Sequence, residues 1–206
     1  MLKYSHSLVA ERIADKYKLS FINRVALVFG SVLPDCRPSC FLRPHTKDNW
    51  SKEMEKLFVR LQKEKRHNFK FFIELGTLLY MYADFFTFPH TNLNIHYIKS
   101  GHAKWERQLH KELKRCFKII NISFIGSIDV GIDDISALYY KELSSIKTDC
   151  NYIILISSLV CQKVGLEEIP ESSSQQEQVK KIVNQYSSEQ LIQIILASLS
   201  VQPKYC

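Results

Sequence analysis

The segment Asn68–Phe88, NFKFFIELGTLLYMYADFFTF, constrains this chain more than any other, because it is apolar on nearly every face of a helix and yet carries Asp84. A helix without a polar face lies inside a protein core or spans a bilayer. Spanning takes about 20 mostly apolar residues. Here Lys70, Glu74 and Asp84 leave an uncharged run only from Leu75 to Ala83, so the segment reads as the central helix of a folded core. A carboxylate buried there is unfavourable unless cations or hydrogen-bond donors meet it. The fold must therefore bring partners to Asp84.

The rest of the chain supplies helices to surround that segment. Leu8, Val9, Ile13 and Tyr17 mark an amphipathic first helix, and Val25–Phe29 starts another that Gly30 and Pro34 are expected to break. Further helices are expected at Trp50–Arg66, Phe69–Phe86 and His102–Phe117, with Pro89 ending the middle one. Between Pro34 and Asn49 three prolines make an irregular loop. ISALYYKELSS and NYIILISSLVCQKV continue the helical pattern, and SSEQLIQIILASLS, capped by Ser187 or Ser188, follows the polar linker GLEEIPESSSQQEQ. Only KIINISFIG (Lys118–Gly126) hints at a strand. The expected fold is an all-α, single-domain multi-helix bundle over residues 1–206. A chain of this length with 46% hydrophobic residues can close a core without disulfides.

The N-terminus lacks the apolar stretch of a secretory signal, which points to a cytoplasmic location. In a reducing compartment the six cysteines (36, 40, 116, 150, 161 and 206) are expected as free thiols. Cys36-x3-Cys40 has no second pair to complete a cysteine zinc knuckle. The net charge of +7, from 28 basic and 21 acidic residues, favours an anionic partner. Its densest basic stretch, Ser51–His67, interleaves Glu53, Glu55 and Glu64 and reads as a solvated helix face. No stable nucleic-acid partner and no transmembrane segment are expected.

All seven histidines lie between positions 6 and 110, several of them beside carboxylates. His102 and Glu106 are four apart, so a helix projects both from one face. His90 follows Pro89 just beyond the Asp84 helix and can turn back toward it. His6 sits on the first helix, and Asp35 and His45 sit in the irregular loop. Four imidazoles and three carboxylates are the donor types zinc prefers. Each motif alone has a plainer reading, as a surface pair or a loop. Their order and spacing together point to a metal centre in residues 1–110, with residues 111–206 as packing.

In that order, His6, GSVLPD ending at Asp35, His45, LGTLLYMYADFFTFPH with Asp84 and His90, and His102-x3-Glu106 resemble the zinc-dependent phospholipase C family. Its wider relatives include the single-strand-specific nucleases that share a trinuclear zinc site. The resemblance covers about residues 1–110 and is most specific from Gly76 to His90. It implies one to three Zn²⁺ ions and an anionic phosphate-ester substrate. Asp35, His45 and Asp84 would bind one zinc, His90, His102 and Glu106 a second, and His6 and Asp84 a third. Asp84 would then bridge two ions, and Asp35 would orient or deprotonate the attacking water. The implied activity is that of a phospholipase C-like phosphodiester hydrolase.

Two positions depart from the family pattern. Tyr80 stands four residues before Asp84, where the pattern has His, and a phenol with an ordinary pKa near 10 is a poor ligand. Members with a processed N-terminus complete the third site with its amine, a part that Met1 can play from five residues before His6. The competing expectation is a metal-binding structural descendant whose first zinc site Tyr80 has disabled.

Overall fold

The computed structural model describes residues 1–36, 47–91, 95–119 and 130–166, together with Gln190 and Gln193. Among the described residues the regular structure is helical throughout. It comprises α1 (Lys3–Lys16), α2 (Phe21–Val32), α3 (Lys47–Lys63), α4 (Phe69–Phe85), α5 (Ile95–Ile119), α6 (Ile132–Tyr139) and α7 (Ile146–Lys163), with 3-10 turns at Pro34–Cys36 and Phe88–His90. The fold is all-α, as the periodicity requires. No helix among the described residues is long and apolar enough to cross a membrane.

Side chains fix where these helices begin. Ser20, Asn68 and Ser145 accept hydrogen bonds from the N–H groups of Asn23, Phe71 and Thr148, which answers donors that a helix start leaves open. The end of α4 is set by Thr87. Its N–H donates to the Asp84 carbonyl (3.1 Å) and its hydroxyl to the Ala83 carbonyl (2.8 Å), so the helix stops at Phe85, ahead of Pro89.

α4 occupies the centre, in contact with α1, α2, α3 and α7, and it buries Phe71, Leu75, Leu78, Leu79, Tyr82 and Ala83 around its circumference. Its most extensive partner is α2, and two glycines explain the fit. A Cβ on Gly30 would run into the Ile73 backbone, and one on Gly76 would run into the Leu27 carbonyl. The two helix backbones therefore touch. Gly30, expected as a helix breaker, instead lies inside α2, because its missing side chain is needed for the crossing and not for a turn. Thr77 reinforces the contact by donating to the Gly30 carbonyl at 3.3 Å.

Other boundaries differ in detail from the expectations. α5 begins at Ile95, ahead of His102, and α3 begins at Lys47, inside the stretch expected to be irregular. His45, most of KIINISFIG, the linker beyond Leu166 and the C-terminal helix lie outside the described residues, Gln190 and Gln193 apart. The aromatic residues that follow Tyr80 pack inward. Phe86 stacks against Tyr152 and meets Tyr139 edge-on, and Phe88 lies against Trp105. Phe86 is part of the core, and Phe88 is half-buried.

Gly76→Ala is expected to destabilise the protein by at least about 1–3 kcal/mol, the usual cost of overpacking, because the obstacle is a helix backbone. Val25→Ala, on the exposed face of α2, should stay within about 0.5 kcal/mol. Denaturant unfolding compares the two, and equal midpoints would contradict the backbone contact.

Candidate metal centre

The α2–α4 crossing sets the register of the site. Gly76, Tyr80 and Asp84 follow one another at four-residue intervals along one face of α4. Beyond the glycine contact, α2 ends and the Pro34–Cys36 turn brings Asp35 over Tyr80. The Tyr80 hydroxyl donates to Asp35 Oδ1 at 2.7 Å. From the other side α1 stacks the His6 ring on Tyr80, with ring centres 4.0 Å apart.

One turn further along α4, Asp84 is fully buried. His6 Nε2 lies 3.2 Å from its Oδ1, and the Met1 α-amine donates to the same oxygen at 2.6 Å. The amine also lies 2.9 Å from Glu106 Oε1 and 3.1 Å from His90 Nε2. Thr87 turns the chain at the end of α4 so that the Phe88–His90 turn carries His90 back toward Asp84, 4.0 Å away. α5 presents His102 and Glu106 one turn apart, with His102 Nε2 3.0 Å from Glu106 Oε1 and His90 Nε2 3.9 Å from the same oxygen.

Six of the seven residues singled out in the sequence thus share one region: His6, Asp35, Asp84, His90, His102 and Glu106. The seventh, His45, lies outside the described residues. Asp35 joins the group through Tyr80, a contact that the sequence did not suggest. Asp149 is a further buried acid beside this region that sequence reasoning passed over. The signal that singled out Asp84 was available for it too: a carboxylate at the head of the apolar run CNYIILISSLVC.

Electrostatics follow from burial. Burial disfavours charge on the Met1 amine, but Asp84 and Glu106 outweigh it and raise its pKa. Burial also lowers the pKa of His6 and of His90, leaving neutral imidazoles with lone pairs to offer. For Glu106 burial works the other way, yet His102, His90 and the amine hold its carboxyl far below the usual range. Burial, followed by the charges of Asp84 and Asp35, drives the Tyr80 phenol well above its ordinary value. Tyr80 therefore keeps its proton and donates a hydrogen bond to Asp35.

The donor set fits zinc. His90, His102 and Glu106 each offer one ligand atom, all within 4.8 Å of one another. Two zinc–ligand bonds of about 2.0–2.1 Å nearly cover that span. His6 is only 2% exposed, and while its Nε2 faces Asp84, its Nδ1 is buried without a hydrogen-bond partner among the described residues. Such an orphan is rare in a core unless something else satisfies it. The Met1 ammonium meanwhile places a single positive charge among groups that suit a cation.

The profile of the family described as zinc dependent phospholipase C matches residues 5–156. No curated protein and no solved structure matches the chain.

If Asp84 anchors this region, Asp84→Ala should destabilise the chelator-treated protein by about 3–5 kcal/mol, the scale for removing one partner of a buried ion pair. Urea unfolding measures it, and a loss below about 1 kcal/mol would count against the anchoring role.

Proposed function

We propose a function for a chain that belongs to the zinc-dependent phospholipase C family: hydrolysis of a phosphate ester at a multinuclear zinc site. The observation that carries this reading is the convergence of ligand atoms of His90, His102 and Glu106 to within 4.8 Å, next to Asp84 and the His6 that lies 3.2 Å from it. His90, His102 and Glu106 would hold one ion. Asp84 would bridge two others, one shared with Asp35 and His45 and one shared with His6 and a free Met1 amine. Bound zinc supplies Lewis acidity toward a phosphoryl oxygen and brings the pKa of a water close to neutrality.

The chain's own groups would do the rest. Neutral His6 and His90 donate lone pairs without first losing a proton, so ligation near pH 7 needs no proton release from them. Glu106, kept ionised by its neighbours, offers a permanent anion. Asp35 faces the same region from the end of α2. Tyr80 donates to its Oδ1 and thereby fixes the carboxylate's orientation, which suits a group that positions the attacking water. With zinc bound, the surplus of cationic over anionic charge would select a phosphate-bearing anion.

A second reading rests on that same hydrogen bond. Tyr80 engages Asp35, so the first zinc position loses a ligand and has another partly occupied. The chain would then be a structural descendant holding fewer ions.

Purified protein loaded with zinc should carry two or three ions per chain and hydrolyse a soluble chromogenic phosphodiester. Chelation should stop turnover and zinc should restore it. Glu106→Gln should lower the rate by at least about 100-fold, since even groups outside the ligand shell cost 10–100-fold. Equal rates for wild type and Glu106→Gln would defeat the enzyme reading. Tyr80→His separates the two readings. The structural reading predicts about one additional zinc per chain, and unchanged stoichiometry with activity retained contradicts it.

A further inference from the structure

Asp149 opens α7 in its first turn and is fully buried, although no part of the proposed chemistry uses it. Its Oδ2 accepts from the Phe88 N–H at 2.9 Å and from the Trp105 indole N–H at 2.8 Å. Its Oδ1 accepts from the Tyr139 hydroxyl at 2.8 Å. Two of these donors sit beside metal-site residues. Phe88 begins the turn that ends in His90, and Trp105 immediately precedes Glu106 on α5, three residues after His102. The Phe88 and Trp105 rings lie 4.8 Å apart, so one carboxylate oxygen closes the seam where the turn meets α5.

The placement has a physical reason. His90 stands on a short 3-10 turn, held within itself by the i→i+3 bonds from the His90 N–H to the Thr87 carbonyl and from the Thr91 N–H to the Phe88 carbonyl, a shorter ladder than an α-helix supplies. An apolar side chain at position 149 would leave the Phe88 N–H and the Trp105 indole N–H without this acceptor. When ionised, the carboxylate holds both more firmly than a neutral acceptor would. Burial pushes the Asp149 carboxyl up to about 7, and its three donors oppose that rise. An apolar residue would be easier to bury at this point in the core.

We propose that Asp149 is a positioning residue for the zinc site, setting the separation between His90 on its turn and His102 and Glu106 on α5 through the shared Phe88–Trp105 clasp. The proposal rests on the zinc reading above and adds a residue outside the donor set. Tyr139, bound to the other oxygen, lies on α6 and so belongs to neither the His90 turn nor α5.

Zinc affinity measured by chelator competition, with the Co²⁺ absorption spectrum as a geometric readout, tests this on the full chain. The variants are Asp149→Asn, Trp105→Phe and Tyr139→Phe. Trp105→Phe removes one donor to Oδ2 and keeps an aromatic ring against Phe88. Asp149→Asn and Trp105→Phe should each weaken zinc binding about 10-fold or more and change the Co²⁺ spectrum, while helical content by circular dichroism stays unchanged. Tyr139→Phe should alter affinity by less than about 3-fold. Should Asp149→Asn fail to fold, Trp105→Phe decides alone. Wild-type affinity and spectrum in Trp105→Phe would overturn the proposal. Absence of zinc binding in the wild type would instead overturn the zinc reading.

Discussion

The carboxylate of Asp84 is the interaction on which the rest depends. It is buried at the end of the central helix, where an isolated negative charge is too unfavourable to persist. Satisfying it draws in the Met1 amine from the chain start and His6 from α1, with His90 close by on the turn after α4. Glu106 on α5 takes the other side of the same amine. Four separate elements thus converge because one central acid requires compensation. A cluster assembled to neutralise an anion is also a cluster of lone pairs around a small volume. That is the architecture a divalent cation needs.

Two features external to that cluster give it its dimensions. On one side the Gly30–Gly76 contact lets α2 approach α4 closely enough for Asp35 to reach Tyr80. A bulkier crossing would separate the helices and withdraw Asp35 from the region. On the other side Asp149 ties the Phe88–His90 turn to α5. The site therefore lies between a steric constraint and a polar one. Its two flanks respond to different changes: the glycines to added volume, Asp149 to the loss of an acceptor.

Much of this was legible in the sequence because the strongest signals were conflicts with their surroundings. An acid inside the apolar run LGTLLYMYADFFTF announces that partners must be found, and His102-x3-Glu106 announces a shared helix face. The all-α class followed from periodicity alone. Tertiary packing was not legible. Gly30 signals a break when read locally and becomes a close-contact position only once α4 lies across it. Tyr80 was expected to point at a metal as a poor ligand. Its bond to Asp35 depends on where a turn of the chain 45 residues away is delivered. Asp149 carried the same signal as Asp84 but had no histidine nearby in sequence, and its partners Phe88, Trp105 and Tyr139 come from three other elements.

The proposed zinc reading is spatial at its core, since His90, His102 and Glu106 would surround one zinc ion beside Asp84. Crystals of the zinc-loaded protein, measured on both sides of the zinc absorption edge, address it without reference to any substrate. An anomalous peak is expected within about 2.0–2.2 Å of imidazole nitrogens of His90 and His102 and a carboxylate oxygen of Glu106. Zinc peaks confined to other residues, with the Met1 ammonium still seated between Asp84 and Glu106, would contradict it.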